Sequence, residues 1–319
     1  MTNIPFFDYP KLFKENEKQL IRIFSKVASK GAFILQSELR EFENKLAKFT
    51  GSVFAVGVAN ATDGLQMALM AGNLQKNSEV IVSSHTMVAT ASAIHFSGGI
   101  PVPVEAGEDL NIDVSGIEKA ITKKTKAIMP THLNGRTCKM DEINKIAKKY
   151  SLDVYEDAAQ SLGSKYKGKC AGTFGLASAI SFYPAKTLGC LGDGGVVLTN
   201  DENVYKDLIL LRDHGRIKKG NKEIRKCYGF NSRLDNLHAS IALVKLKYFF
   251  GWISKRRKIA EFYNKELAGL NRNIVTPKFN KKDPNIKNLE LSLIEKIGLN
   301  VLIKNNKKNA GSITLEYKN

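Results

Sequence analysis

Cysteine is scarce: Cys138, Cys170, Cys190 and Cys227 are the only four in 319 residues, and no two form a Cys-x-x-Cys pair. That spacing excludes the common zinc frameworks and offers no disulfide scaffold, so reduced thiols in a cytoplasmic protein are expected. Long apolar runs are missing too, and none approaches the length of a membrane-spanning helix. The first ten residues, Met-Thr-Asn-Ile-Pro-Phe-Phe-Asp-Tyr-Pro, lack a basic segment followed by an apolar core, so no signal peptide is expected. Acidic residues number 31 against 49 lysines and arginines, a net charge of +18. Such an excess would suit a phosphorylated or nucleotide-bearing substrate, or nucleic acid. The lysines, however, are spread along the chain, and many stand beside asparagines. Only Ser254-Lys255-Arg256-Arg257-Lys258 is compact, and it reads first as a solvated helix face and second as a phosphate contact. Neither nucleic acid nor a membrane is expected as a partner.

What is present is the composition of an ordinary globular protein, 43% apolar and 25% charged, long enough for one large domain and a smaller one. Between about residues 50 and 200, short β-branched runs alternate with amphipathic stretches. Phe54–Val58, Val80–Ser83, Val102–Glu105, Ala127–Pro130, Asp153–Glu156, Ala177–Phe182 and Val196–Thr199 read as strands. Leu65–Met70, Val88–Phe96, Val114–Ile121 and Asp141–Tyr150 read as helices between them. This alternation predicts an α/β fold, a mostly parallel central sheet flanked by helices. Ser37–Phe49 reads as a preceding helix that stops at Gly51, and Leu234–Phe249 and Trp252–Leu270 read as two long helices after the sheet. Thr276–Asn319 is rich in lysine and asparagine and has weak periodicity. The expected division is a large domain over 1–250, including the N-terminal helices, and a partial C-terminal small domain over 251–319.

In an open α/β sheet, ligands gather at the carboxyl ends of the strands. Asp157, in Glu-Asp-Ala-Ala-Gln (156–160), and Lys186, after Ser-Phe-Tyr-Pro-Ala (181–185), each follow a predicted strand and can reach the same edge. An amine that can form a Schiff base and a carboxylate that can keep a pyridinium nitrogen protonated are what pyridoxal phosphate chemistry requires. Taken singly, Asp157 also reads as a helix cap and Lys186 as a surface lysine. Asn-Ala-Thr-Asp-Gly (60–64) lies at a strand-to-helix junction, where free N–H groups favour a phosphate, although an ordinary N-cap looks the same. Ser181 could offer a hydroxyl to that phosphate. Gly192-Asp193-Gly194-Gly195 permits close backbone approach, or simply a tight turn.

Together these segments resemble the DegT/DnrJ/EryC1/StrS family of pyridoxal phosphate-dependent nucleotide-sugar aminotransferases, from about Gly31 to Leu270. The resemblance is carried by Gly-Ala-Phe-Ile-Leu (31–35), Asn-Ala-Thr-Asp-Gly-Leu (60–65), Ser-Ser-His-Thr-Met-Val-Ala-Thr (83–90), Leu-Asn-Ile-Asp (110–113), His-Leu-Asn-Gly (132–135), Glu-Asp-Ala-Ala-Gln (156–160), Ser-Phe-Tyr-Pro-Ala-Lys (181–186) and Gly-Phe-Asn-Ser-Arg-Leu-Asp (229–235). It implies the fold type I of pyridoxal phosphate-dependent transferases. It also implies that Lys186 binds the cofactor and shuttles protons, that Asp157 pairs with the ring nitrogen, and that Gln160 lies near the ring hydroxyl. Thr62, Asp63 and Ser181 would hold the phosphate, and Asn231 would reach it from the neighbouring subunit of a homodimer. The implied reaction moves an amino group from an amino acid, glutamate in most of the family, to a nucleotide-linked keto sugar for amino-sugar or polysaccharide synthesis.

The chain departs from the family pattern at three places. Met87 stands where relatives usually stack an aromatic residue on the cofactor, Ala61 stands where glycine is usual, and no His-Tyr-Pro segment follows the point, near Val275, where the resemblance fades. The last departure leads to the expectation of an incomplete small domain, as from a truncated or frame-shifted gene. Two alternatives accompany the aminotransferase reading. One is a sugar dehydratase using the same cofactor, although such relatives carry histidine at the Schiff-base position; the other is a non-catalytic or regulatory homologue.

Overall fold

Alternation of apolar side chains along each strand sets the layers. In the computed structural model, which describes residues 7–219, 222–270, 300–305 and 311–316, Val80 and Val82 share one core cluster while Ile81 joins another. Likewise Ala127 and Met129 part from Ile128, and Val197 parts from Val196 and Leu198. Neighbouring residues of a strand point to opposite faces, so a strand apolar at every position must be covered on both sides.

The order of elements is α1 (Tyr9–Ala28), α2 (Ser37–Thr50), β1 (Phe54–Val58), α3 (Ala61–Ala71), β2 (Glu79–Ser83), α4 (Val88–Phe96), β3 (Ile100–Val104), α5 (Val114–Ala120), β4 (Thr125–Met129), α6 (Met140–Tyr150) and β5 (Asp153–Asp157). Then follow β6 (Lys165–Tyr166), β7 (Lys169–Cys170), β8 (Ala177–Ser181), β9 (Gly195–Thr199), α7 (Glu202–Leu211), β10 (Arg216–Lys219), β11 (Lys222–Arg225), α8 (Asn236–Leu270), β12 (Asn300–Asn305) and β13 (Gly311–Glu316). Seven strands form one sheet in the order β1-β9-β8-β5-β4-β2-β3. All its neighbours pair in parallel except β9, which runs antiparallel to both β1 and β8. Helices α3, α4 and α7 cover one face; α2 and the first part of α8 cover the β1-β9-β8 half of the other, and α5 and α6 cover the rest. The mostly parallel α/β sheet expected from the sequence is therefore present.

Three features differ from expectation. The two helices expected around Gly251 are one, since α8 continues through this residue. A glycine inside a helix costs only about 1 kcal/mol relative to alanine, and Phe249, Trp252 and Ile253 all pack on the same core cluster across it. Helix α1 falls among the N-terminal helices expected but was given no range; Leu12, Phe13, Ile21 and Phe24 remain exposed along it, so its apolar positions do not trace a single buried stripe. The two-stranded pairs β6-β7 and β10-β11 were unforeseen, being short and carrying lysine or arginine at most positions.

Residues Met1–Ser254 form one compact unit and Lys255–Asn319 a second. Within the second unit, Lys255 to Lys258 are exposed on α8, and β12 and β13 pair as an antiparallel hairpin. The remainder of the tail expected to be an incomplete small domain lies outside the described residues. No helix among the described residues is long and apolar enough to cross a membrane.

Candidate active site

The parallel strands deliver their carboxyl ends to one edge of the sheet, and a cavity of about 710 Å³ opens there. Asp157 ends β5 and Ser181 ends β8; Asn60 follows β1, Met87 follows β2 and Thr131 follows β4. All five line the cavity, together with Lys186.

Asp157 is 4% exposed, and both its oxygens are held. Oδ1 accepts from the Ala159 N–H at 3.1 Å and Oδ2 accepts from the Thr90 hydroxyl at 2.6 Å. Its backbone is pinned on both sides, with Asp157 N donating to Pro130 O and His132 N donating to Asp157 O. Lys186 sits in the turn after β8, where its N–H donates to Tyr183 O and the Cys190 N–H donates back to Phe182 O. Gly189 is required in this turn, because a Cβ there would lie 2.2 Å from Pro184 O. Lys245 of α8 clamps the same turn, donating from Nζ to Gly189 O at 2.5 Å. Burial lowers the pKa of Lys186 below that of an ordinary lysine, with the Asp157 charge opposing the shift.

The first N–H groups of a helix have no partner within it. At the start of α3 the Asn60 side chain accepts from Asp63 N at 2.8 Å, while Ala61 and Thr62 line the cavity. Gly195 lets β9 approach this helix end, since a Cβ there would lie 2.6 Å from Asn60 C and 2.8 Å from Ala61 N. The Ser181 hydroxyl accepts from Tyr183 N at 3.2 Å. Gln160 lines the cavity, its Oε1 accepting from Asn134 N at 2.8 Å. Met87, at the N-cap of α4, is 62% exposed at the same cavity.

Two sequence candidates stand apart. Asp63 lies in the first turn of α3 but does not line the cavity. Asn231 is exposed, bridges to Asp213 and accepts from Arg233, away from the cavity of its own chain. Sequence reasoning assigned no role to Thr90 or Glu156, although both fall in quoted segments. Glu156 is fully buried on the strand face opposite Asp157. Its Oε1 accepts from Phe174 N and Gly175 N at 2.6 and 2.8 Å, and its Oε2 from Gly172 N and His132 Nε2, both at 2.8 Å. His132 Nδ1 accepts from Cys138 N at 3.2 Å, so the ring proton sits on Nε2.

An amine with a depressed pKa, a fixed carboxylate and a helix N-terminus on one cavity fit the donor set that pyridoxal phosphate needs. The chain matches the model of the DegT/DnrJ/EryC1/StrS aminotransferase family over residues 14–303, and it belongs to that family of pyridoxal phosphate-dependent aminotransferases. The match extends past both ends of the stretch over which the sequence resemblance was read. The chain is 42% identical over 261 residues to the dTDP-3-amino-3,6-dideoxy-alpha-D-galactopyranose transaminase of Aneurinibacillus thermoaerophilus, covering 82% of this chain and 71% of the relative. It is 37% identical over 278 residues to a pleiotropic regulatory protein of Geobacillus stearothermophilus, covering 86% and 74%. The crystal structure of S. venezuelae DesV in complex with a ketimine intermediate superposes with a TM-score of 0.80 at 37% identity, covering 85% of this chain and 72% of that one.

Proposed function

We propose that this aminotransferase moves an amino group from an amino acid, L-glutamate, to a nucleotide-linked keto sugar in the synthesis of an amino sugar. The observation that carries the reading is the convergence of Lys186 and Asp157 with the N-terminus of α3 on one cavity. The name of the Aneurinibacillus relative, a transaminase of a dTDP-linked amino sugar, supports the substrate class. The regulatory name of the Geobacillus relative does not outweigh it, because this chain keeps both an amine and a carboxylate at the cavity.

Bound at Lys186, pyridoxal phosphate supplies an electron sink for the carbanion left when an amino acid loses its α-proton. The chain's own residues do the rest. Asp157, unable to turn, would hold a proton at the ring nitrogen. Thr62 and Ser181, with Asp63 of the first turn of α3, would hold the phosphate, where the helix dipole favours negative charge. Gln160 would lie near the ring hydroxyl. Met87 would pack against the ring, a favourable contact for a thioether. The lowered pKa of Lys186 leaves more of its amine neutral near pH 7 than in an ordinary lysine, so Nζ can accept a proton and return it. Asn231, exposed and outside its own cavity, serves the cavity of a second copy in a homodimer.

The test is the visible absorbance of protein mixed with pyridoxal phosphate, followed by borohydride reduction and peptide mapping. A band that bleaches with L-glutamate, with label on Lys186, is expected; nucleotide-linked 3-keto and 4-keto sugars should then restore it. No band in the wild-type protein, or multiple turnover by Lys186→Ala, would overturn the reading.

A further inference from the structure

We propose that Thr131, Thr86 and Thr90 form a one-directional chain of hydroxyl groups that aims and holds the Asp157 carboxylate, which makes Thr90 a positioning residue for the reaction. The inference rests on the reading that Asp157 serves the ring nitrogen of pyridoxal phosphate.

The hydroxyl oxygens are spaced at hydrogen-bond distances throughout. Thr131 and Thr86 are 2.9 Å apart, Thr86 and Thr90 are 2.7 Å apart, and Thr90 lies 2.6 Å from Asp157 Oδ2. A carboxylate only accepts, and a hydroxyl has one proton to give. Thr90 must therefore spend its proton on Asp157 and accept from Thr86. Thr86, having spent its own proton, must accept from Thr131. Every donor in the chain points toward Asp157, and such chains strengthen their terminal bond by mutual polarisation.

This arrangement is not what a helical threonine does by default. Thr50, at the end of α2, returns its hydroxyl proton to the carbonyls of Leu46 and Ala47, four and three residues back. Thr90, in the first turn of α4, gives its proton to a different element. Thr90 is fully buried and Thr131 is 4% exposed, so little water competes for the terminal bond to Asp157, while Thr86 between them is half-buried. The chain also joins the ends of three strands that are adjacent in the sheet: Thr86 lies beyond β2, Thr131 beyond β4, and Asp157 ends β5. With Ala159 N on the other oxygen, the carboxylate has no free rotation about its last bond.

Thr90→Val keeps the shape and removes the donor; Thr90→Ser keeps the donor. Each variant and the wild-type protein are titrated with pyridoxal phosphate labelled at the ring nitrogen, and that nitrogen is followed by NMR. The dissociation constant should rise about tenfold in Thr90→Val, the loss expected for one hydrogen bond to a charged group, and return to near wild type in Thr90→Ser. The nitrogen resonance should move from its wild-type position toward that of Asp157→Asn in the valine variant and back in the serine variant, a signature that loosened packing alone would not give. If Thr90→Val does not fold, Thr86→Val carries the test, with a smaller displacement in the same direction. Wild-type affinity and resonance in a folded Thr90→Val, or in Thr86→Val where it carries the test, would overturn the inference while leaving the cofactor reading intact. A wild-type protein that binds no pyridoxal phosphate would overturn both.

Discussion

Removing the Glu156 carboxylate strands three backbone N–H groups, those of Gly172, Phe174 and Gly175, and the Nε2–H of His132. Each buried donor without a partner costs about 1–3 kcal/mol, so the four together set a ceiling of roughly 4–12 kcal/mol. Water entering the vacated space lowers this, and breaking a buried charged network by removing one member costs about 3–5 kcal/mol. We expect Glu156→Ala to lose about 4 kcal/mol, a large share of the roughly 5–15 kcal/mol that holds a domain folded. Glu156→Gln keeps one accepting oxygen and turns an NH2 group toward the other pair of donors, so it should fall between wild type and alanine, at about 2–3 kcal/mol. The assay is urea denaturation followed by circular dichroism, with a constant slope showing that the same surface is exposed in each protein. Hydrogen exchange at Gly172, Phe174 and Gly175 should accelerate in both variants. If both retain stability within about 1 kcal/mol of wild type, the four bonds do not hold the Gly172–Gly175 turn and the argument is wrong.

Lys245→Met removes the donor to Gly189 O while filling similar space. Burial lowers the pKa of Lys245, so its charge is held there at a desolvation cost that methionine relieves; global stability should stay within about 1 kcal/mol, while amide exchange over Leu188, Gly189 and Cys190 quickens. Asp141 is held down to about 2 from 3.8, first by Lys167 and then by Tyr166. Its contribution is present above its ordinary pKa and fades as pH falls through about 2, so Asp141→Asn should show a shallower loss of stability on acidification from pH 3.8 towards 2 in pH-dependent melting.

The strands were legible because a sheet covered on both faces needs unbroken apolar runs, and Val80–Ser83 or Val196–Thr199 has no other plausible use. Their order in the sheet was not, because periodicity says which residues are buried and not which strand lies beside β8. Gly251 shows the opposite failure: what looks like a joint between two helices is bridged by Phe249 and Ile253 packing on one cluster. In the site, Lys186, Asp157, Ser181 and Thr62 could be picked out by their positions at the ends of strands, Gln160 and Met87 only through the family resemblance, and all six line one cavity. Thr90 could not, since a threonine four residues after Thr86 has an ordinary local use for its hydroxyl. Only the tertiary packing that brings the start of α4 to the end of β5 gives that proton to Asp157.

Glu156 and Asp157 are consecutive on β5, so their side chains leave the strand on opposite faces. One carboxylate accepts from the Gly172–Gly175 turn and His132, and the other accepts from Thr90 and Ala159 beside the cavity. His132 joins the two sides, because its ring donates to Glu156 while its backbone N–H donates to Asp157 O. A disturbance at Glu156 therefore has a short covalent and hydrogen-bonded route to the backbone that carries Asp157. Glu156→Gln should weaken pyridoxal phosphate binding although Glu156 does not line the cavity, and the loss should accompany faster exchange of the His132 amide. Weakened binding with the His132 amide as protected as in wild type would mean that the coupling runs through some other part of the sheet.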